Sequence, residues 1–305
     1  MNDTLTQLWI RLLSGDRTGL TLDLSLGPWQ VHAEGRAVFF LWVTVGLLVL
    51  GGLAVLVSGN AEVRRKWTTW ALIAPIVGIP IWLGRGPTAL LAAVLAIQAV
   101  REYRPLVRLP RPEHAILLVL ALAYPTAAWL SPGLLALAPL VALLCAVPAL
   151  LAGDTEHGIR RAAMAAFGSI WLCWSLAHLV VLWEDAFLVC FAAAAADVSA
   201  WTGGKGLRRF SWARRPLSPL SPNKTVGGLV GAIVGTLVVL TILGTISFGL
   251  VLAVAVGGVA GDLLESMVKR QAQVKDAGDW LPGFGGLLDR VDSLLLVLPL
   301  AAVLG

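Results

Sequence analysis

Charged residues are scarce in this chain, and their scarcity excludes an ordinary soluble protein. Of 305 residues, 58% are hydrophobic and only 13% are charged, whereas soluble domains carry about 25% charged residues. Apolar runs of about 20 residues, the length that a helix needs to cross a bilayer, recur along the whole chain. The composition therefore excludes a large soluble domain and predicts a polytopic membrane protein.

Cysteine and histidine are also few, which removes several classes of site. The three cysteines lie in apolar runs and show neither metal-ligand spacing nor a disulfide pattern: Cys145, Cys173 and Cys190. The four histidines lie away from the acidic clusters, and we predict no catalytic role for them: His32, His114, His157 and His178. The N-terminus lacks a basic segment followed by an apolar one, so no cleavable signal peptide is expected.

The apolar runs predict an all-α fold, a membrane helix bundle with about ten transmembrane helices. No period-2 alternation of the kind found in barrels runs through the chain, so helices are the expected way to satisfy the backbone in lipid. The predicted spans are about 37–58, 68–83, 87–100, 114–130, 132–152, 163–181, 185–200, 225–245, 248–266 and 286–304.

The basic residues predict the orientation of this bundle. If the loop after the first span is cytoplasmic, all but four of the 23 basic residues fall in cytoplasmic loops, as the positive-inside rule requires. Both termini are then outside, and the charged loops 201–224 and 267–290 share the cytoplasmic face. The net charge of +5 reflects this asymmetry, and we expect no nucleic-acid partner.

Residues 1–36 differ from the rest of the chain in their pattern of apolar and polar residues, and they contain no recognisable catalytic or binding motif. Thr4–Leu13 is typical of a short amphipathic helix at the membrane interface, and Leu20–Leu26 alternates apolar and polar residues as a strand does. We interpret this segment as an anchoring extension.

Mixed charge is concentrated in residues 262–292, between two very apolar segments. Asp262, Glu265, Ser266 and Lys269 have the spacing i, i+3, i+4, i+7, which places them on one face of a helix. Paired carboxylates bind divalent metal, and basic side chains bind phosphate. A salt bridge at a helix end is the alternative reading.

A second acidic cluster follows a glycine-rich turn. Asp289 and Asp292 are three residues apart, flank Arg290 and come just after Gly285 and Gly286. Glycine permits close backbone approach to a ligand. Carboxylates at a helix N-terminus are also ordinary capping groups, but a second acidic cluster nearby favours a site.

The loop that ends at Thr225 predicts a phosphate site. Ser221, Asn223, Lys224 and Thr225 supply hydroxyls, an amide and an ammonium just before a helix N-terminus. Asp197, late in a predicted span, is a site candidate because it is an intramembrane acid. Lys205 lies in a GGKG segment that is weak evidence alone, and the arginines after it favour attraction to anionic lipid.

These residues together resemble the phosphatidate cytidylyltransferase (CDP-diacylglycerol synthase) family over about residues 64–305. The C-terminal stretch is similar to the family signature at Ser266, Lys269-Arg270, Lys275-Asp276, Gly285-Gly286, Asp289-Arg290 and Asp292. The upstream match is SPNKT (221–225), with Asp197 and GGKG before it, and more loosely residues 64–75 and 101–103. The resemblance implies a 64–305 membrane domain with its catalytic half at about 197–292, preceded by an extension, 1–63, with one extra span.

The resemblance also implies a reaction and roles. The implied reaction converts CTP and phosphatidic acid to CDP-diacylglycerol and pyrophosphate at the cytoplasmic face of the inner membrane. The implied cofactor is Mg²⁺, with a second cation left open, and the implied assembly is a homodimer. The expected metal ligands are Asp289, Asp262, Glu265 and Asp292. The expected catalytic residues are Asp289, Asp262, Lys269, Arg270 and Asp292. The expected substrate-binding residues are Ser221, Asn223, Lys224, Thr225, Lys205, Asp197, Ser266, Lys275, Asp276, Gly285, Gly286 and Arg290.

Three departures from the family pattern leave alternatives open. Phe284 replaces a histidine, Val226-Gly227 replaces Trp-Glu, and the segment after GGKG is arginine-rich. The alternatives are a CTP-dependent enzyme acting on another lipid phosphate or a lipid alcohol, and a degenerate non-catalytic membrane partner. A transporter is disfavoured because its charges are expected at the membrane midplane of several spans, whereas these gather at one face.

Overall fold

The computed structural model describes residues 21–26, 29–34, 44–46, 48–53, 55–56, 61–280 and 285–305. Near the N-terminus, β1 (Thr21–Leu26) pairs antiparallel with β2 (Trp29–Glu34), with Thr21 opposite Glu34. The hairpin confirms the strand predicted from the alternation in Leu20–Leu26, and it is the exception to the all-α prediction within the described residues. The helix predicted at Thr4–Leu13 lies outside them.

From Ala61 onward, the described chain consists mainly of helices. They are α1 (Ala61–Leu83), α2 (Arg85–Val107), α3 (Arg111–Leu130), α4 (Pro132–Leu151), α5 (Gly158–Val181), α6 (Ala186–Arg209), α7 (Val226–Ile242), α8 (Phe248–Gln271), α9 (Leu288–Val291) and α10 (Leu294–Leu304). α4 begins as 3₁₀ helix over Pro132–Leu137. Wider π-helical turns interrupt α5 at Ser169–Trp174 and α8 at Leu252–Val256.

Among the described residues, five helices are long and apolar enough to cross a membrane: α3, α4, α5, α6 and α8. α7 and the Ala71–Leu83 part of α1 are shorter apolar helices. The prediction of about ten spans is therefore not confirmed. The predicted span 286–304 is divided into the short α9 and α10, and the predicted span 37–58 lies partly outside the described residues.

The core combines buried alanines of α2 and α6, whose small side chains let helices approach closely, with larger apolar side chains of α3, α5 and α10. Tyr103, near the C-terminal end of α2, is fully buried within it. Its hydroxyl donates to the Met164 carbonyl oxygen at 2.9 Å, and its ring packs edge to face on Trp171. These contacts hold the end of α2 against α5. Large apolar side chains such as Leu90 and Val119 are exposed, as expected for a lipid-facing surface.

α6 and α7 pack most closely through glycine. A Cβ atom on Gly231 would overlap the Ser199 carbonyl oxygen and lie 2.9 Å from the Cα atom of Gly203. The glycine face of α7 (Gly227, Gly228, Gly231 and Gly235), whose partner helix the sequence leaves open, therefore packs within the chain against α6. This packing places the loop before α7 beside the end of α6.

Gly231→Ala is expected to destabilise the protein, because the added methyl group cannot fit without separating α6 from α7. Overpacking of this kind costs about 1–3 kcal/mol. Gly206→Ala is the matched control, since a Cβ atom there meets nothing within 4 Å. Thermal unfolding in detergent, followed by tryptophan fluorescence, should show a lower midpoint for Gly231→Ala alone. Equal midpoints for the two variants would contradict this packing.

Candidate active site

The C-terminal half of α8 presents an acidic and basic face to the protein interior. Asp262 is 8% exposed and Glu265 is 1% exposed, although both lie on a helix that is apolar enough to span the membrane. Lys269, one turn after Glu265, places its Nζ atom 2.5 Å from the Glu265 Oε2 atom. The spacing in the sequence thus produces a buried row of charges on one side of α8.

Lys269 connects this row to the second acidic cluster. Its Nζ atom lies 2.7 Å from the Asp289 Oδ1 atom, at the start of α9. The Asp289 Oδ2 atom also accepts hydrogen bonds from the backbone N–H groups of Ala277 at 2.9 Å and Gly286 at 2.8 Å. The two acidic clusters, 20 residues apart in the chain, therefore form one site.

The loop before α7 brings the predicted phosphate segment to the same place. Lys224 forms an ion pair with the Asp262 Oδ2 atom. Thr225 caps α7 by accepting a hydrogen bond from the Gly228 N–H group at 3.3 Å, and the Lys224 N–H group donates to the Ser221 carbonyl oxygen at 3.0 Å. These local bonds shape the loop so that its lysine reaches α8.

The carboxylates here have the donor chemistry that Mg²⁺ prefers. The Glu265 Oε1 atom is buried with no hydrogen-bond partner. The carboxyl group of Asp292 acts on Glu265 electrostatically, and Asp289 shares Lys269 with it. Within the part of the chain that the structure describes, no three acidic, histidine or cysteine side chains are placed to hold one metal ion. The donor set fits a Mg²⁺ ion held by one or two carboxylates, with substrate phosphates and water completing its shell.

Glu102, near the end of α2, belongs to this site and was not selected from the sequence. It is 6% exposed, and its carboxyl group accepts hydrogen bonds from the backbone N–H groups of Leu287 at 2.9 Å and Leu288 at 2.8 Å. The only signal in the sequence was its place in residues 101–103, which resemble the start of the family core. Because 185 residues separate Glu102 from Leu287 in the chain, the sequence gives no sign of this contact.

Among the other predicted residues, Asp292 and Asp197 interact with the charged groups of this centre. Asp292 on the acidic side accepts from the Ser293 N–H group at 2.9 Å, and Asp197 on α6 is close enough to interact electrostatically with Lys224 and Asp292. Lys205 contacts the Trp201 ring, 3.7 Å from its centroid. Ser266 is half-buried, Gly285 and Gly286 precede α9, and the remaining predicted residues are exposed: Asn223, Arg270, Lys275, Asp276 and Arg290.

One departure from the family pattern has a local structural reason. The Gly227 N–H group donates to the Ala213 carbonyl oxygen at 3.0 Å. A Cβ atom on Gly227 would lie 3.0 Å from the Ala213 Cβ atom, so a large side chain is excluded by the loop that crosses α7 here. Phe284, the other departure near the site, lies outside the described residues.

Comparison with known proteins identifies the family of this chain. A family model described as the cytidylyltransferase family matches residues 64–305. The chain belongs to the cytidylyltransferase family. Membership confirms the family resemblance seen in the sequence and, with it, the enzyme class of the family, the nucleotidyltransferases.

Curated relatives match part of this cytidylyltransferase family chain. The phosphatidate cytidylyltransferase of Bacillus subtilis (strain 168) is 42% identical over 123 residues, which cover 37% of this chain and 44% of the relative. That of Helicobacter pylori (strain ATCC 700392 / 26695) is 37% identical over 137 residues, 42% of this chain and 44% of the relative. The uncharacterized protein YnbB of Escherichia coli (strain K12) is 32% identical over 176 residues, covering 52% and 58%. The chain spans about half the length of the curated relatives it matches.

Proposed function

We propose that this protein transfers the CMP group of CTP to phosphatidic acid, giving CDP-diacylglycerol and pyrophosphate. The observation that carries the proposal is Lys269, which lies between Glu265 and Asp289 beside the Lys224–Asp262 pair. Alternating carboxylates and ammonium groups suit a reaction between two polyanions. The names of two relatives, both phosphatidate cytidylyltransferases, support the choice of substrates.

The chemistry requires positioning and charge neutralisation more than proton transfer. An oxygen of the lipid phosphate forms a bond to the α-phosphorus of CTP, and the bond from that phosphorus to the α,β-bridging oxygen breaks. Pyrophosphate leaves with the electron pair. Because the attacking oxygen is already anionic, no strong general base is needed. The main obstacle is the repulsion between two highly charged phosphates, which cations and an in-line arrangement overcome.

Carboxylates hold the lysines of the site in position to bind phosphate. Lys224 and Lys269 each pair with buried or half-buried acids, and incoming phosphates offer them an alternative anionic partner. Two of the carboxylates, Asp289 with Asp262 or with Asp292 or Glu265 in its place, would hold Mg²⁺, which supplies a compact positive charge to the phosphates when bound. In the loop before α7, Ser221, Asn223 and Thr225 would line the pocket that binds the phosphates of the nucleotide.

We also propose that the active site opens on the cytoplasmic side of the membrane and that the protein forms a homodimer. The positive charge of the loops favours an active site that opens to the cytoplasm, because the basic residues are concentrated in the loops that carry the site. CTP is a soluble nucleotide, and a cytoplasmic mouth gives it access while the lipid enters from the bilayer. The resemblance supports a homodimer in the cell membrane, in contact with membrane lipids.

The fate of label from CTP tests this function against its alternatives. CTP labelled at the α-phosphate is expected to label phosphatidic acid as CDP-diacylglycerol, whereas CTP labelled at the γ-phosphate should label pyrophosphate only. Lipid labelled from the γ-position with diacylglycerol as acceptor would instead identify a lipid kinase. Labelling from the α-position with an isoprenoid phosphate, but not with phosphatidic acid, would move the proposal to another lipid phosphate.

A further inference from the structure

Glu102 is a buried carboxyl group that the proposed reaction does not use, and the backbone groups it bonds to lie just before Asp289. Oε1 accepts from the Leu287 N–H group at 2.9 Å and from the Gln98 Nε2 atom at 2.9 Å. Oε2 accepts from the Leu288 N–H group at 2.8 Å. No side chain of the α9 segment itself caps this helix start, so Glu102 satisfies backbone groups that would otherwise be unpaired.

The loop is held between two carboxyl groups. The Gly286 N–H group donates to the Asp289 Oδ2 atom at 2.8 Å, and the next two N–H groups, of Leu287 and Leu288, donate to Glu102. Three consecutive amides are thus divided between Asp289, an expected metal ligand, and Glu102, which has no part in the proposed reaction. Because Asp289 is also bonded to Lys269, any shift of this loop moves the carboxylate on which the site depends.

Two glycines pack directly against the carboxyl group of Glu102. A Cβ atom on Gly286 would lie 2.5 Å from the Glu102 Oε2 atom, and one on Gly278 would lie 3.1 Å from its Cδ atom. Glycine at both positions lets the loop close over the carboxyl group. The neighbouring Tyr103 anchors α2 through its hydrogen bond to Met164, so Glu102 extends from a fixed support.

We infer that Glu102 is a positioning residue, which fixes the 285–288 loop and thereby the orientation of Asp289. The inference rests on the proposed function for its catalytic consequence. It acts through Asp289 and touches neither substrate in this account. In Glu102→Gln an NH₂ group replaces one acceptor oxygen and faces a backbone N–H donor, so the loop loses at least one of its bonds while side-chain size is kept.

The test compares Glu102→Gln with Glu113→Gln in the full chain. Glu113 is an equally buried carboxylate paired with Arg161 at 2.5 Å, away from the site. The first readout is hydrogen–deuterium exchange of the peptide covering 285–291, measured in detergent. The second is the split between kcat and KM in CDP-diacylglycerol synthesis, with Glu102→Asp as the conservative variant.

For Glu102→Gln we expect about tenfold faster exchange in 285–291 and about 10- to 100-fold lower kcat, with KM for phosphatidic acid little changed. Glu102→Asp should recover part of the turnover. Glu113→Gln should lower the thermal midpoint but leave exchange in 285–291 and kcat near those of the unaltered protein.

Three results would overturn the inference: unchanged exchange in Glu102→Gln, equally fast exchange in Glu113→Gln, or a loosened loop with full turnover. If the unaltered protein makes no CDP-diacylglycerol, the proposed function fails on its own. The exchange comparison needs no turnover, and it still decides whether Glu102 holds the loop.

Discussion

Asp289→Asn is expected to lower kcat by about 100- to 1,000-fold while the protein remains folded. The substitution keeps the shape of the side chain but removes the negative charge that would hold Mg²⁺. It also turns one acceptor into a donor opposite Lys269 or the N–H groups of Ala277 and Gly286. The measurement is the initial rate of CDP-diacylglycerol formation at saturating CTP and phosphatidic acid.

Asp279→Asn provides the control for this experiment. Asp279 lies in the segment that connects α8 to α9, ten residues before Asp289, and is exposed, so its loss of charge should leave the rate unchanged. The thermal midpoints of both variants show whether either has lost its fold. If Asp289→Asn is folded and fully active, Asp289 has no role in metal binding or catalysis.

Lys269→Met is expected to cost both stability and activity. It leaves Glu265 and Asp289 without their shared cation, and breaking a buried ion pair from one side costs about 3–5 kcal/mol. We expect a clearly lower thermal midpoint in detergent and a loss of turnover of at least about 100-fold. Lys269→Arg keeps the charge but changes its geometry, so it should recover stability more fully than activity.

Arg214→Met is the matched control for Lys269→Met, because Arg214 is an exposed basic residue of the loop before α7. Removing it should change neither the thermal midpoint nor kcat appreciably. An unaltered midpoint in Lys269→Met would contradict the bridging role of Lys269. A lowered midpoint with full turnover in the remaining folded protein would contradict its contact with phosphate.

The helical periodicity of α8 made part of the site predictable. A spacing of three, four and seven residues from Asp262 defines one face whatever the tertiary structure, and the structure places Asp262, Glu265 and Lys269 together. The same reasoning predicted a shared face for Asp289 and Asp292. It gave no distance between the two clusters, because that distance depends on the tertiary fold.

Contacts between distant segments could not be predicted from the sequence. Lys224 and Asp262 pair across 38 residues of chain only because α7 and α8 bring them together. Glu102 lies beside Arg101 at the end of α2, where a charge is typical of a helix end, and its partners are backbone groups that carry no signature. The packing of the α7 glycines on α6 likewise depends on the tertiary fold.

The number of membrane-spanning helices was also beyond the sequence reasoning. Hydrophobic runs mark apolar helices well, and 132–152 and 163–181 correspond to α4 and α5. They do not show where a helix ends in three dimensions: α2 continues past its predicted limit at residue 100 to Val107, which brings Glu102 into the helix. The run 286–304 is interrupted between α9 and α10, next to Asp292.

The most direct test of the central claim is the conversion of phosphatidic acid by the purified protein in detergent, with CTP and with or without Mg²⁺. The account predicts CDP-diacylglycerol and an equal amount of pyrophosphate, both dependent on Mg²⁺. Absence of product from folded protein that still binds CTP would contradict phosphatidic acid as the acceptor. Absence of both product and CTP binding would contradict the assignment of this site to nucleotidyl transfer.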